Sequence, residues 1–110
     1  MVQDSRYEAT SHMLYKIENE LKNHALWSDQ APSIEAMADT SPFSVETMPF
    51  ENWVQFIFLP KMRSLINAKR ELPSSIAIAP MASHLWNHKA ELQTLITVFE
   101  ELDKFLSESR

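Results

Sequence analysis

The feature that most constrains this chain is the complete absence of glycine from its 110 residues. At the average usage of about 7%, a chain of this length would contain roughly eight glycines. Phosphate-binding loops, dinucleotide-binding turns and the nucleophile elbow of hydrolases all need glycine where the backbone turns sharply or approaches a ligand. The usual EF-hand calcium loop needs one as well. The sequence therefore excludes the common glycine-dependent sites.

Apolar residues recur at helical spacing in two long segments. The first stripe consists of Thr10, Leu14, Ile17, Leu21 and Ala25. The second consists of Leu92, Leu95, Phe99, Leu102 and Leu106. Spacings of three and four residues are typical of amphipathic helices. We expect the first helix to run from about residue 4 to about residue 26, with Asp4 or Ser5 as its N-cap and its end near Trp27.

Residues 28–49 have a different character, with prolines, serines and aspartates that favour turns. Residues 34–38 predict at most one short helical turn. A connector of this length is uncommon in a helical bundle. We therefore expect it to pack against the core, with Phe43 and Val45 as anchors.

A second main helix follows, with Thr47 predicted as its N-cap and Pro49 in its first turn. Its apolar residues are Phe50, Trp53, Val54, Phe56, Ile57, Phe58, Leu59, Met62, Leu65 and Ile66. A helix that is apolar around most of its circumference is usually buried on more than one side. Pro60 lies inside this pattern and is expected to kink the helix. A strand over residues 53–59 is disfavoured because no hairpin partner with turn glycines exists.

Pro80 suits the first turn of a short helix over residues 80–86, and Asn87 is a plausible cap for the last helix. Together these elements predict one all-α domain spanning residues 1–110. We expect a compact bundle of about four helices, with a long packed connector between helices 1 and 2.

The formal net charge is −5 with a pI near 5.3, which disfavours general binding to nucleic acids or anionic membranes. There is no lysine or arginine from residue 23 to residue 60, whereas the next ten residues carry a local charge of +4. The basic segment comprises Lys61, Arg63, Lys69 and Arg70. Either the acidic connector folds near this segment and offsets its charge, or the segment is a basic face for a partner.

Cysteine is absent, so the sequence excludes disulfides, thiol chemistry and cysteine-ligated zinc. The first residues lack the apolar stretch of a signal peptide, and no apolar run approaches the roughly 20 residues that cross a bilayer. We therefore expect a cytoplasmic protein that has no membrane partner.

The middle of the chain resembles the YqcC-like family of small bacterial proteins. The residues that carry this resemblance are Pro42, Phe43, Glu46, Thr47, Met48, Trp53, Gln55, Pro60 and Met62, followed by Leu72-Pro73 and Ala79-Pro80. Trp27 also stands where a tryptophan closes the family's first helix. One departure is Glu46, where family members commonly have an aspartate. The resemblance implies an all-α bundle without an established activity, encoded by genes often found beside one for a tRNA pseudouridine synthase.

No arrangement of side chains in the sequence predicts catalysis. His84 and His88 have the spacing of the histidines in H-E-x-x-H zinc sites, but Leu85 replaces the glutamate and no third ligand is evident. The carboxylates of Glu100, Glu101 and Asp103 are expected to lie on a solvated helix face. We therefore expect a protein that is not an enzyme and has no catalytic residue, cofactor or metal.

The helix around residues 53–63 is the region with more apolar surface than a two-sided core needs. Either the connector and the short third helix cover this surface, or an apolar face remains for a partner, which is another protein or a second copy in a homodimer. The leading hypothesis is a non-enzymatic protein-interaction module. Its predicted contact surface consists of Trp53, Phe56, Phe58, Pro60, Lys61 and Arg63.

Two alternatives remain open. The first is an RNA-associated accessory role in tRNA modification, in which the basic segment contacts the nucleic acid. The second is binding of a small apolar ligand in a dry pocket beside Pro60.

Overall fold

The computed structural model describes residues 2–39, 43, 47–74 and 76–108, with side chains from residue 5 onward. These residues form six α-helices. They are α1 (Val2–Asn23), α2 (Ile34–Met37), α3 (Phe50–Trp53), α4 (Leu59–Asn67), α5 (Ala79–Trp86) and α6 (Gln93–Glu108). A π-helical segment, Val54–Phe58, joins α3 to α4, and a short 3₁₀ turn, Ala90–Leu92, precedes α6. The predicted all-α fold is confirmed.

The core lies where α1 packs against both α4 and α6, and α5 also packs against α6. Four of the five residues predicted as the apolar stripe of α1, namely Thr10, Leu14, Ile17 and Leu21, are completely buried. They face the buried stripe of α6, which includes Leu95, Phe99, Leu102 and Leu106. Burial of these side chains is the main favourable contribution to folding, at roughly 1.5–3 kcal/mol for each large apolar residue.

The fifth residue of the predicted stripe, Ala25, is exposed because α1 ends before it. Ala25 has a φ of 60°, in the left-handed region. The N–H of Leu26 then donates to the carbonyl of Leu21 at 2.8 Å, and the N–H of Ala25 donates to that of Lys22 at 3.3 Å. This pair of hydrogen bonds is the Schellman motif, whose left-handed position is usually glycine.

The same motif ends α4, and again without glycine. Lys69 has a φ of 57°, and the N–H of Arg70 donates to the carbonyl of Leu65 at 2.8 Å. A left-handed conformation costs a non-glycine residue about 1–2 kcal/mol. The glycine-free chain therefore ends two helices with residues that favour that conformation less than glycine does.

Three predicted helix caps are wrong. Asp4 and Ser5 lie inside α1, which already includes Val2. Pro49, rather than Thr47, is the N-cap of α3, and the Thr47 hydroxyl donates instead to a carboxylate oxygen of Asp39 at 2.7 Å. Asn87 is the C-cap of α5 and does not begin α6. Thr47 thus finds its partner outside the predicted first turn, and Asn87 lies at a different helix end.

Pro60 disturbs the helix through the turn that precedes it. The N–H of Leu59 donates to the carbonyl of Val54, five residues earlier, rather than to the usual partner four residues earlier. Because proline has no N–H and its ring crowds the carbonyl of Phe56, a wider turn accommodates it with less steric conflict. The structure therefore has a π-helical segment before Pro60, and Pro60 itself lies in the first turn of α4.

The connector contributes an aromatic anchor to the core. Phe43 contacts Trp53 edge-on at a centroid distance of 4.9 Å and Phe50 at 5.6 Å. On the opposite side, Trp86 of α5 lies 5.2 Å from the Phe50 ring. Phe43 therefore serves as the expected anchor, whereas Val45 lies outside the described residues. The connector and α5 cover part of the aromatic surface of α3, which was one of the two alternatives.

Candidate functional site

The predicted contact surface separates into a buried part and an exposed part. Phe58 is only 6% exposed, stacks on Trp53 at 5.5 Å and lies 6.4 Å from the Phe99 ring. It is a core residue, and its assignment to a contact surface is corrected because α6 covers it. Trp53 is partly buried and packs against the core.

The exposed part of that surface lies around Phe56 and Pro60. Phe56 and its neighbour Ile57 are partly exposed, and Pro60 and Lys61 are exposed. Within the described residues, neither Phe56 nor Ile57 belongs to the core cluster or to the partly buried apolar residues packed against it. Phe56 and Ile57 lie in the π-helical segment, about one helical turn before Pro60 and Lys61 in α4. We call Phe56, Ile57, Pro60 and Lys61 the α4 face.

Arg63 takes part in an ion-pair network with α1. Its Nη2 donates to Oε1 of Glu18 at 2.6 Å, and Nζ of Lys22 donates to Oε2 of the same carboxylate at 2.7 Å. The hydrogen bond from Lys22 has the largest effect on the pKa of the Glu18 carboxyl. Together with Arg63, and against the effect of burial, it holds the pKa of that carboxyl below its usual value. An acid that offsets Arg63 thus comes from α1, whereas an offset by the connector was one of the two alternatives.

The remaining basic residues lie at the end of α4 and on the α4 face. Nζ of Lys69 lies 5.7 Å from the centroid of the Tyr7 ring, and the Tyr7 hydroxyl donates to the carbonyl of Arg70 at 2.8 Å. Lys61 is eight residues earlier, about 12 Å along a helix axis. The four basic residues therefore divide into Arg63 paired with α1, Lys61 on the α4 face, and Lys69 with Arg70 beside Tyr7.

An open groove of about 680 Å³ lies beside Lys69, between α1 and the end of α4. Its lining residues are Tyr7, Glu8, Ser11, His12, Tyr15, Ile66 and Lys69. The pattern of residues did not predict this groove. The spacing of Tyr7, Ser11 and Tyr15, four residues apart, is the signal that places them on one face of α1, but only the fold places Ile66 and Lys69 beside it.

A second missed feature is the apolar surface of α2. Ile34 is 86% exposed and Met37 is 41% exposed, although both are large apolar residues. Ala36 is the buried residue of this turn, and the hydroxyl of Ser33 caps it by accepting from the Ala36 N–H at 3.1 Å. The spacing of Ile34 and Met37 indicated the helical turn but not which side faces solvent.

The histidines and carboxylates considered in the sequence have different surroundings. His84 and His88 are both exposed, and the described residues contain no group of three histidines, aspartates or glutamates placed to hold a metal. Glu100 and Glu101 are exposed as expected. Asp103 differs because it is partly buried, and its Oδ2 accepts from the N–H of Ala79 at 2.8 Å, at the start of α5.

Burial raises the pKa of the Asp103 carboxyl above its usual value, while hydrogen bonds from the backbone of Ala79 and Ile78 oppose this effect. Its other oxygen, Oδ1, is buried without a hydrogen-bond partner. Asp103 therefore acts as a structural cap for α5, rather than as part of a solvated face.

The helices of the described residues do not meet the requirements of a membrane-spanning segment. None of them combines the length and the apolar character that such a segment needs.

Comparisons with known proteins agree over most of the chain. The model of family DUF446, described as tRNA pseudouridine synthase C, matches residues 9–105. An uncharacterized protein of Haemophilus influenzae is 33% identical over 95 residues, which cover 86% of this chain and 90% of that protein. The uncharacterized protein YqcC of Escherichia coli is 33% identical over 67 residues, which cover 61% of this chain and 62% of that protein.

A longer relative and a solved structure complete the comparison. A protein of Pectobacterium carotovorum named tRNA pseudouridine synthase C is 38% identical over 71 residues, which are 64% of this chain but only 19% of that protein. The solution NMR structure of E. coli YqcC has the same fold, with a TM-score of 0.84 and 24% identity over 96% of this chain and 91% of that one. The chain therefore belongs to the DUF446 family of YqcC-like proteins, as its central residues indicated.

Proposed function

We propose that this chain is a non-enzymatic protein-interaction module that associates with a tRNA pseudouridine synthase through the α4 face. The observation that carries the proposal is the match of 71 residues to a fifth of a longer protein named tRNA pseudouridine synthase C. A region joined to an enzyme is held near it at high effective concentration. A separate chain of the same family can reach the same arrangement through a binding surface.

The α4 face supplies a suitable contact chemistry. Its centre is apolar, with the partly exposed side chains of Phe56 and Ile57 beside exposed Pro60. Lys61 gives it a charged edge. Protein interfaces commonly combine an apolar centre containing aromatic residues with a polar rim. Large apolar side chains that the core does not use are available to fill a pocket on a partner at little cost to folding.

Binding of the purified chain to the tRNA pseudouridine synthase C of the same organism tests this proposal. Isothermal titration calorimetry after nuclease treatment excludes contacts that RNA mediates. We expect a complex that the double variant Phe56→Ala, Lys61→Glu weakens by about 10- to 30-fold, as for a contact of 1.4–2 kcal/mol near an interface centre. Ile34→Ala is the matched control, since it removes an equally apolar but more exposed side chain on α2.

The possible results separate the two parts of the proposal. No heat of binding at about 100 μM of each protein contradicts association with this enzyme. A complex that the Ile34→Ala variant weakens and the α4-face variant leaves intact contradicts the assignment of the surface.

A further inference from the structure

The groove between α1 and the end of α4 combines an aromatic platform with basic residues. Tyr15 is 59% exposed although tyrosine rings usually lie partly buried. It lines the same groove as Tyr7, whose ring is 8% exposed, and Lys69. One wall of the groove is therefore fixed in the core, while Tyr15 presents its ring to solvent.

The Tyr7 side of the groove is held in place by two contacts. The Tyr7 hydroxyl donates to the Arg70 carbonyl at 2.8 Å, which ties α1 to the chain after α4. Nζ of Lys69 lies 5.7 Å from the centroid of the Tyr7 ring. Lys69 is also the residue with left-handed backbone that ends α4. A site whose walls need not rearrange loses less conformational entropy when a ligand binds.

The groove lining combines a basic side chain with an acid and neutral polar groups, a set that suits a ligand with both a phosphate and hydrogen-bonding edges. Among the described residues that line the groove, Lys69 is the base and Glu8 the acid, and exposed Arg70 follows Lys69 directly in the chain. Ser11 and His12 offer further polar groups on α1. A carboxylate such as that of Glu8 accepts hydrogen bonds from N–H groups on the Watson–Crick edge of an unpaired base, the N3–H of uracil included.

We propose that this groove binds unpaired nucleotides of RNA, with a base stacked on Tyr15 and its phosphate beside Lys69 and Arg70. Proteins that bind single-stranded nucleic acids combine exposed aromatic rings with positive charge along the backbone path. The groove volume of about 680 Å³ lies in the range of 300–1,000 Å³ that is typical of ligand sites. This inference goes beyond the proposed protein contact, since the groove residues do not overlap the α4 face.

The overall charge of −5 sets the expected strength of this binding. Only a local cluster of basic residues faces the nucleic acid, so the contact relies on stacking as well as on charge. We expect dissociation constants on the order of 10⁻⁴ to 10⁻⁶ M, as for non-specific contacts. Binding should weaken with rising salt, and duplex RNA should bind more weakly because its bases are already stacked.

Fluorescence anisotropy with a labelled hexauridine RNA tests the inference. Tyr15→Ala should weaken binding by about 5- to 100-fold, in line with the loss of one base–aromatic stack, and Tyr15→Phe should retain it because the ring remains. Lys69→Asn removes the charge with a residue that tolerates the left-handed conformation. It should lower the slope of log affinity against log salt by about 0.7, which corresponds to one phosphate contact on a single strand.

Two comparisons make the result decisive. An abasic sugar–phosphate hexamer should bind at least 5-fold more weakly than hexauridine, because stacking on Tyr15 needs a base. Lys104→Ala, which removes an exposed lysine of α6, should leave binding unchanged. Equal binding by Tyr15→Ala and the unmodified chain, equal binding of the abasic hexamer, or no binding at 50 mM salt would each overturn the inference. The protein-binding experiment above is unaffected by these outcomes.

Discussion

The side chain of Gln55 exchanges two hydrogen bonds with the backbone of Ser28. Its Nε2 donates to the Ser28 carbonyl and its Oε1 accepts from the Ser28 N–H, both at 2.8 Å. Gln55 is 7% exposed and lies in the π-helical segment. The Gln55 amide thus satisfies both backbone polar groups of Ser28, at the start of the connector, where the connector contacts the π-helical segment.

Gln55→Ala should destabilise the protein by about 2–3 kcal/mol, because two hydrogen bonds are lost and a backbone N–H and a carbonyl remain poorly satisfied. Chemical denaturation in urea measures this change. Ser28→Ala is the control, since it retains the backbone groups that contact Gln55 and should cost less than about 1 kcal/mol. Equal losses for the two variants would show that the backbone pairing has no special importance.

Ala25→Gly should stabilise the protein by about 1 kcal/mol. Ala25 has a φ of 60° in the Schellman motif that ends α1, and glycine adopts this conformation without the steric cost that a Cβ atom imposes. Ala9→Gly is the matched control inside α1, where the same substitution should destabilise by roughly 0.5–1 kcal/mol. Thermal and urea unfolding should give opposite signs for the two variants; the same sign for both contradicts this explanation of the helix end.

Phe56→Ala and Phe58→Ala should have very different effects on folding. Phe58 is buried against Phe99, so its loss should cost about 3–5 kcal/mol. Phe56 lies outside the core cluster, so Phe56→Ala should lower the free energy of unfolding by less than about 1.5 kcal/mol. Comparing the urea midpoints of the two variants checks this, and a large loss for Phe56→Ala would show that the α4 face is part of the core.

Glu18 should make stability depend on pH in the acidic range. Its pKa is lowered in the folded protein, chiefly by Lys22, so the folded state binds a proton less tightly than the unfolded state. Its contribution is complete above the ordinary value of 4.5 and is lost as the pH falls through the lowered pKa. The difference in unfolding free energy between the natural chain and Glu18→Gln should therefore shrink as the pH falls below 4.5. A difference that stays constant contradicts the ion-pair explanation.

Asp103 should show the opposite dependence. Burial raises its pKa above the ordinary value of 3.8, so the folded state binds the proton more tightly than the unfolded state. The contribution of Asp103 to the free energy of unfolding should therefore fall as the pH rises from 3.8 through the raised pKa. Asp103→Asn keeps an oxygen that can accept from Ala79 but does not titrate. Relative to this variant, the natural chain should lose stability over that interval, as measured by urea unfolding at a series of pH values.

The periodicity of the sequence predicted the helices and most of the core. Leu14, Ile17 and Leu21 in α1 and Leu95, Phe99 and Leu102 in α6 are completely buried, as their spacing indicated. This succeeds because a residue's position around a helix depends only on the helical repeat, which the order of residues contains. Helix ends were predicted less well, since Thr47 and Asn87 find partners or positions that depend on neighbouring segments.

The candidate sites depended more strongly on tertiary structure. The sequence determined that no glycine-based ligand loop or cysteine site exists, that the fold is helical and that positive charge is concentrated in residues 61–70. Only the packing of α1 against α4 decided that Arg63 pairs with Glu18 and that Lys69 lies with Tyr7 and Tyr15 in one groove. Likewise, only α6 decided that Phe58 is buried while Phe56 is not. Which of several apolar or charged residues remains exposed is set by contacts between helices far apart in the chain, and the local pattern of residues does not contain that information.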